Sequence, residues 1–266
     1  MADVFQVDLP LMKQGYLLDM DGVLYRGKEP IPHAREFIAQ LQAQDIPFLL
    51  LTNHSCFTPV QFSRKLKGMG IDVAPERIYS SAQATAEWLR SKKAKRVYVI
   101  GEKGLTDALG LCEIEVGAEG VSHVVVGLDR AFNYEKLKLA SRLIAAGAHF
   151  IVTNPDPTYP VEDGDAPECG LLQGALENVT GKKATIIGKP APIIYRQAAR
   201  YLGLPIKNLT MVGDRLDTDI AGALGIGARA VLVLTGHTTR VNLRKSEIRP
   251  DLMIDNLSVL SADLQR

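Results

Sequence analysis

Short apolar runs alternate with helix-patterned stretches along almost the whole of this sequence, and no other feature narrows its possible folds as far. Such alternation is the written form of repeated strand-helix units, which assemble a largely parallel sheet with helices on its faces. Strands are expected at Tyr16–Leu18, Phe48–Thr52, Val97–Ile100, His123–Val126, Phe150–Thr153, Thr185–Ile187, Leu209–Val212 and Ala230–Leu234. Between them, Ala34–Gln44, Pro59–Met69, Ala82–Lys92, Tyr134–Ala146, Gly170–Thr180, Pro192–Leu202 and Thr218–Leu224 read as helices. The 266 residues allow one large domain or two modest ones, and a 46% hydrophobic content builds a core without disulfides or a structural metal.

Charge and cysteine usage narrow the partners. Thirty-one basic against 30 acidic side chains, a net charge of +1, leave no electrostatic footprint for a nucleic acid backbone or an anionic membrane. Cys56, Cys112 and Cys169 lie far apart with no C-x-x-C pair, so neither a disulfide framework nor a zinc knuckle is encoded, and a reducing cytoplasm fits best. No apolar run approaches the roughly 18 residues that span a bilayer. Asp3, Asp8 and Lys13 interrupt the N-terminal apolar residues where a secretory signal would be continuous. The expectation is a cytoplasmic protein with no nucleic acid or membrane partner.

Several strands stop in small or polar residues: Asp19 after Tyr-Leu-Leu, Thr52-Asn53 after Phe-Leu-Leu-Leu, and Gly213-Asp214 after Thr-Met-Val. Open parallel sheets bind ligands at the carboxyl ends of their strands, so these three places can converge on one crevice. The Thr-Asn ending recurs at Thr153-Asn154 and hints that the middle of the chain is a separate α/β unit.

Two acidic clusters carry the chemistry. Asp19-Met-Asp21-Gly22 follows the first strand, and the plain reading of Asp-Gly between apolar runs is a hairpin turn. Asp214-Arg-Leu-Asp217-Thr-Asp219 follows a later strand, where helix capping accounts for Asp217 and suits Asp219 but leaves Asp214 unexplained. Two carboxylates about 4 Å apart repel by roughly 4 kcal/mol at an effective dielectric of about 20. A hard divalent cation, Mg²⁺ above all, is the expected counter-charge, since it takes one or two carboxylates and shares its other positions with water and phosphate. None of the five histidines is paired at zinc-ligand spacing. Thr52-Asn53 adds a hydroxyl, an amide and main-chain N–H groups suited to phosphoryl oxygens, and Gly188-Lys189-Pro190 adds a cation just past a strand.

Taken in order, Asp-x-Asp-Gly, Thr-Asn, Lys-Pro and Gly-Asp-x-x-x-x-Asp resemble the haloacid dehalogenase-like (HAD) hydrolase superfamily. The long segment between Thr52 and Lys189 resembles the cap of its NagD-like and pyridoxal phosphate phosphatase-like subgroup. That resemblance implies a Rossmann-like parallel-sheet core from residues 1–81 and 185–266, with an α/β cap inserted at 82–184. Asn154-Pro-Asp156 and Pro167-Glu-Cys-Gly170 resemble the cap's strand end and substrate loop.

What the resemblance implies for mechanism is a Mg²⁺-dependent phosphatase of small phosphorylated metabolites. Asp19 would be the nucleophile that forms an aspartyl-phosphate, and Asp21 the general acid and then base. Asp19, the main-chain carbonyl of Asp21, and Asp214 would hold the metal. Thr52, Asn53 and Lys189 would hold the phosphoryl oxygens. Asp219 would orient Lys189 or a metal-bound water. His54, Asp156 and Cys169 lie where substrate specificity would be set, and a homodimer through the cap follows from the same likeness, although no sequence signal specifies a symmetric interface.

Asp21 favours phosphate esters over carbon-halogen bonds, because only an alkoxide leaving group needs an acid. A phosphomutase on the same scaffold, a receiver-like phospho-signalling module and an inactive binding protein are the competing readings. Trp88 reads as packing on an apolar helical face, and Gly222, Gly225 and Gly227 fall within and after a helix, which excludes a dinucleotide fingerprint.

Overall fold

A computed structural model describes residues 15–161 and 164–264. Its strands, in chain order, are β1 (Gly15–Leu18), β2 (Tyr25–Arg26), β3 (Glu29–Pro30), β4 (Phe48–Thr52), β5 (Ile78–Ser80), β6 (Arg96–Ile100), β7 (Glu115–Val116), β8 (His123–Val126), β9 (His149–Val152), β10 (Thr158–Val161), β11 (Gly164–Pro167), β12 (Thr185–Ile186), β13 (Leu209–Gly213), β14 (Arg229–Val233) and β15 (Leu252–Ile254). The α/β reading holds, and all eight expected strands occur within a residue or two of their expected limits.

The described residues form two compact units, one of 15–51, 63–78 and 195–264, the other of 52–62 and 79–194. The segment 82–184 lies inside the second unit, which also takes 52–62, 79–81 and 185–194.

A six-stranded sheet in the order β15-β14-β13-β1-β4-β5 organises the first unit. The pairs β1·β4, β1·β13, β13·β14 and β14·β15 are all parallel. Central strands covered on both faces need continuous apolar runs rather than alternation, which is why Gly-Tyr-Leu-Leu of β1 and Phe-Leu-Leu-Leu of β4 are buried throughout. Helix Ala34–Ala43 turns Ala34, Phe37, Ile38 and Leu41 inward, the spacing of a single helical face. Phe37 meets the Tyr16 ring edge-on at 5.6 Å between centroids. Truncating it to alanine would cost about 3–5 kcal/mol through lost burial and the cavity left behind.

Two local expectations are corrected. The chain does turn at Asp21-Gly22, where Gly22 has φ +76° and donates its N–H to the Tyr25 carbonyl, but that turn does not join antiparallel strands. The hairpin comes later: Tyr25 pairs with Pro30 and Arg26 with Glu29 around Gly27. The helix expected at Thr218–Leu224 is instead a π-helical turn, Leu216–Ile220, followed by an α-helix, Ala221–Ile226. Such wide turns recur at functional sites.

In the second unit, a five-stranded parallel sheet runs β12-β9-β8-β6-β7. Its core gathers Ile100, Val124, Val126, Phe150 and Val152 from strands and Ala140, Ile144, Leu172 and Leu176 from the helices Tyr134–Ala145 and Cys169–Thr180. Ser80 and Gln83 form a reciprocal capping box that starts helix Ser81–Ser91 just after β5. Trp88 of that helix meets His123 edge-on and packs as expected. The antiparallel pair β10·β11 joins Thr158 to Pro167 at its base.

Candidate active site

The parallel pairing of Leu18 with Val212 sets the carboxyl ends of β1 and β13 side by side, so Asp19 and Asp214 emerge as neighbours. The N–H of Asp19 donates to the Val212 carbonyl at 2.9 Å, which pins the residue at the sheet edge. Asp219 comes back to the same place from the π-helical turn. One carboxylate oxygen from each of Asp19, Asp214 and Asp219 lies within 4.8 Å of the other two, with the residues 9%, 4% and 0% exposed.

Glycines make this approach possible. A Cβ on Gly213 would stand 2.3 Å from the Asp219 Cβ, and one on Gly236 or Gly22 would fall 2.0 or 2.4 Å from Asp214 Oδ2. The N–H of His237 donates to Asp214 Oδ2 at 2.5 Å, and the N–H of Arg215 to Asp219 Oδ2 at 3.1 Å. At about 4.8 Å and an effective dielectric of about 20, each ionised pair repels by roughly 3.5 kcal/mol. Three buried, oxygen-only, anionic donors fit a hard divalent cation.

Asp219, expected as a supporting residue, thus contributes its own carboxylate to the cluster. Asp21 belongs to a different setting. Burial pushes its carboxyl up to about 6, with Lys65 opposing the rise and Asp19 adding to it. Lys65 sits over the Tyr25 ring, its Nζ 3.9 Å from the centroid. Arg26 ties the turn after Asp21 to the carbonyls of Thr235 and Gly236, and Thr235 donates its hydroxyl to the Gly22 carbonyl. Asp217 is not a helix cap: it is exposed and bonded to the Arg215 guanidinium at 2.8 Å, while Asp219 satisfies the N–H that begins the turn.

The second unit brings together the remaining motif residues. Thr52 ends β4 and accepts the His54 N–H on its hydroxyl at 3.1 Å. The Asn53 amide is fully committed: Oδ1 accepts the Lys189 N–H at 2.8 Å, and Nδ2 donates to the Lys189 carbonyl at 2.9 Å and to Asp156 Oδ2 at 3.0 Å. These bonds commit the Asn53 side chain to the fold, a narrower role than the one expected for it. Gly188 passes so close to the Thr153 carbonyl and Asn53 Oδ1 that a Cβ would lie 2.4 and 2.5 Å from them. Lys189 is 2% exposed and precedes a cis peptide bond to Pro190.

His54 accepts the Cys56 N–H on Nδ1 and stacks on Phe57 at 5.1 Å, with Phe62 and Tyr159 within 6 Å. This places it in an aromatic wall beside the Thr-Asn strand end. Cys169 is corrected from a substrate contact to a core residue: it is fully buried, bonds to the Val126 carbonyl at 3.3 Å, and burial pushes its thiol up to about 12. Two residues outside the expected set join the network. Asn154 is fully buried against the Asn53 carbonyl, and Glu168, also buried, has its carboxyl pushed up to about 7 by burial. The repeated Thr-Asn pair and the likeness of Asn154-Pro-Asp156 to a cap strand end were the signals in the sequence that pointed to Asn154.

A family model described as haloacid dehalogenase-like hydrolase matches residues 16–115, and a HAD-hydrolase-like model matches 186–260. The chain belongs to the haloacid dehalogenase-like hydrolases. Within this family it is 39% identical over 247 residues to a dihydroxyacetone phosphatase of Corynebacterium glutamicum, covering 92% of this chain and 90% of that one. It is also 39% identical over 255 residues to an acid sugar phosphatase of Staphylococcus epidermidis, covering 95% of this chain and 98% of the relative. The solved structure of NagD from E. coli K-12 superposes with a TM-score of 0.88 at 32% identity, covering 92% of this chain and 97% of that one. The protein is a NagD-like HAD hydrolase and a phosphoric monoester hydrolase. Among its described residues, no helix is long and apolar enough to cross a membrane.

Proposed function

We propose that this HAD hydrolase is a Mg²⁺-dependent phosphatase that cleaves small phosphate esters through an aspartyl-phosphate on Asp19. The observation that carries the reading is the convergence of Asp19, Asp214 and Asp219 at the adjoining ends of β1 and β13. An Asp19 carboxylate oxygen attacks phosphorus and the bond to the leaving oxygen breaks. Asp21 donates its proton to that oxygen, so the leaving group departs as an alcohol. The Asp21 carboxylate then takes a proton from water, which attacks the same phosphorus, releases inorganic phosphate and restores Asp19.

A divalent cation, Mg²⁺ by the all-oxygen donor set, would be held by Asp19, Asp214 and Asp219 with the Asp21 carbonyl, and would neutralise phosphoryl charge. The Thr52 hydroxyl, the Asn53 main chain and Lys189 would bear on the phosphoryl oxygens, a role that family membership supports. The second unit, with 82–184 as its cap, would supply leaving-group contacts through His54 and Asp156. The relatives' names favour triose and sugar phosphates as substrates. Unpaired cysteines support a cytoplasmic setting.

The test is multiple-turnover phosphate release from a panel of triose, sugar, nucleoside and pyridoxal phosphates with added Mg²⁺. Release should vanish with a chelator and in Asp19→Asn, while the fold persists by circular dichroism. Full release by folded Asp19→Asn would remove the nucleophile assignment.

A further inference from the structure

The two Thr-Asn strand ends interlock within the second unit. Asn154 Nδ2 donates to the Asn53 carbonyl at 2.9 Å and reaches Glu168 Oε1 and Thr153 Oγ1 at 3.3 Å. Its Oδ1 turns the other way and accepts the Asp156 N–H at 3.0 Å. The Ser81 hydroxyl also donates to the Asn53 carbonyl, at 2.5 Å. On the far side, Thr153 accepts the Gly188 N–H at 2.8 Å, one residue before Lys189. Asn53 is thus held by its carbonyl, and holds Lys189 by its side chain.

Glu168 fixes which way the Asn154 amide faces. Its carboxylate and the Asn53 carbonyl are both acceptors, so a flipped amide would put Oδ1 against two oxygens at a buried position. Glu168 is 4% exposed, and its Oε2 has no hydrogen-bond partner among the described residues. It stands just before helix Cys169–Thr180, where its carboxylate feels the Cys169 N–H but makes no capping bond. A buried carboxyl with one oxygen unpartnered among the described residues and its only side-chain bond made to Asn154 is a costly arrangement for a merely structural purpose.

We propose that Asn154 and Glu168 are positioning residues for the phosphatase reaction, acting through Asn53 to hold the main chain that carries Lys189. The proposal rests on the reading that Lys189 bears on the phosphoryl group. Neither residue touches substrate. Their effect is on the transition state, where a displacement of about 1 Å can cost about 100-fold in rate.

The experiment measures kcat and KM for 4-nitrophenyl phosphate with the full chain and Mg²⁺, with folding checked by thermal melts. Asn154→Asp, which sets a carboxylate against the Asn53 carbonyl, is expected to lower kcat at least about tenfold with KM within about threefold, because the loss is confined to the transition state. Glu168→Leu should lower kcat about tenfold, and Glu168→Gln, which keeps an acceptor for Asn154, should stay within about twofold of the parent. In a Lys189→Met background, Asn154→Asp should subtract less than about twofold more, since residues acting as a unit are non-additive.

A parental kcat in folded Asn154→Asp overturns the proposal. Full multiplication of the two losses in the double variant overturns the relay alone and leaves the role of Lys189 standing. A parental kcat in Lys189→Met overturns both. If Asn154→Asp does not fold, the Glu168 variants decide: parental turnover in Glu168→Leu, or equal losses in the leucine and glutamine variants, overturns the proposal.

Discussion

The side-chain amide of Asn53 grips the main chain of Lys189 from both sides, accepting its N–H at 2.8 Å and donating to its carbonyl at 2.9 Å. One amide supplies the two bonds that a neighbouring strand would otherwise make. Removing it strands a buried N–H and a buried carbonyl, at about 1–3 kcal/mol each. Asn53→Ala is therefore expected to lower the melting temperature and to reduce kcat for phosphate esters by about 100-fold through misplaced charge. Phosphate-release kinetics beside thermal melts check this. A stable, fully active variant would show that the grip is incidental.

Gly213→Ala tests the carboxylate cluster without touching a carboxylate. Its new methyl would stand 2.3 Å from the Asp219 Cβ, so strand or turn must shift. A cost of about 1–3 kcal/mol is expected from overpacking. The parent should melt higher with added Mg²⁺ by mass action, and the variant should lose most of that increment. A variant with the parent's cation-dependent shift would mean that Asp219 is dispensable to the cation.

Asp21→Asn can neither protonate a leaving oxygen nor deprotonate water. With 4-nitrophenyl phosphate, whose leaving group needs no proton, the first step should survive and the second stall. The expected record is a burst of one equivalent of nitrophenolate, then turnover reduced about 100-fold or more. Rapid mixing detects it. Steady turnover at the parental rate on an alkyl phosphate would take Asp21 out of the acid role.

The core strands were legible because burial on both faces demands unbroken apolar runs, and Tyr16–Leu18 or Leu209–Val212 admit little else. β5, β7 and β15, like the β10·β11 pair, were not legible. They are short and carry residues such as Glu115, Pro160 and Asp165 that pattern reasoning assigns to loops. Spacing could place Asp19, Asp214 and Asp219 at strand ends, but only the π-helical turn and the close approach at Gly213 select Asp219 over Asp217. The partner of a buried amide leaves no trace in sequence: Asn53 reads as a phosphate ligand until Lys189, far along the chain, is found to occupy it. Cys169 failed for a related reason, since its position at the first residue of a helix hides that it faces inward.

Glu168 gives a pH signature. Its carboxyl ionises near 4.5 in the unfolded chain and is pushed up to about 7 in the folded one by burial. Between those values the folded state binds a proton that the unfolded state has lost, so its contribution to stability falls as pH rises. The loss is complete above about 7 and amounts to roughly 3 kcal/mol at most. Glu168→Gln should match the parent near pH 4 and melt at higher temperature than the parent at pH 8. Equal melting temperatures at pH 8 would contradict the buried-acid account.

The pairing of Leu18 with Val212 also has a consequence in time. During synthesis Asp19 is made before the second unit, and β13 only after that unit, which ends at residue 194. Asp214 and Asp219 follow later still. Until then Asp19 lacks the two carboxylates, those of Asp214 and Asp219, that would complete the proposed cation site. On the proposed mechanism, a growing chain that has not yet reached β13 is silent toward phosphate esters, and hydrolytic competence waits for that strand and the turn after it.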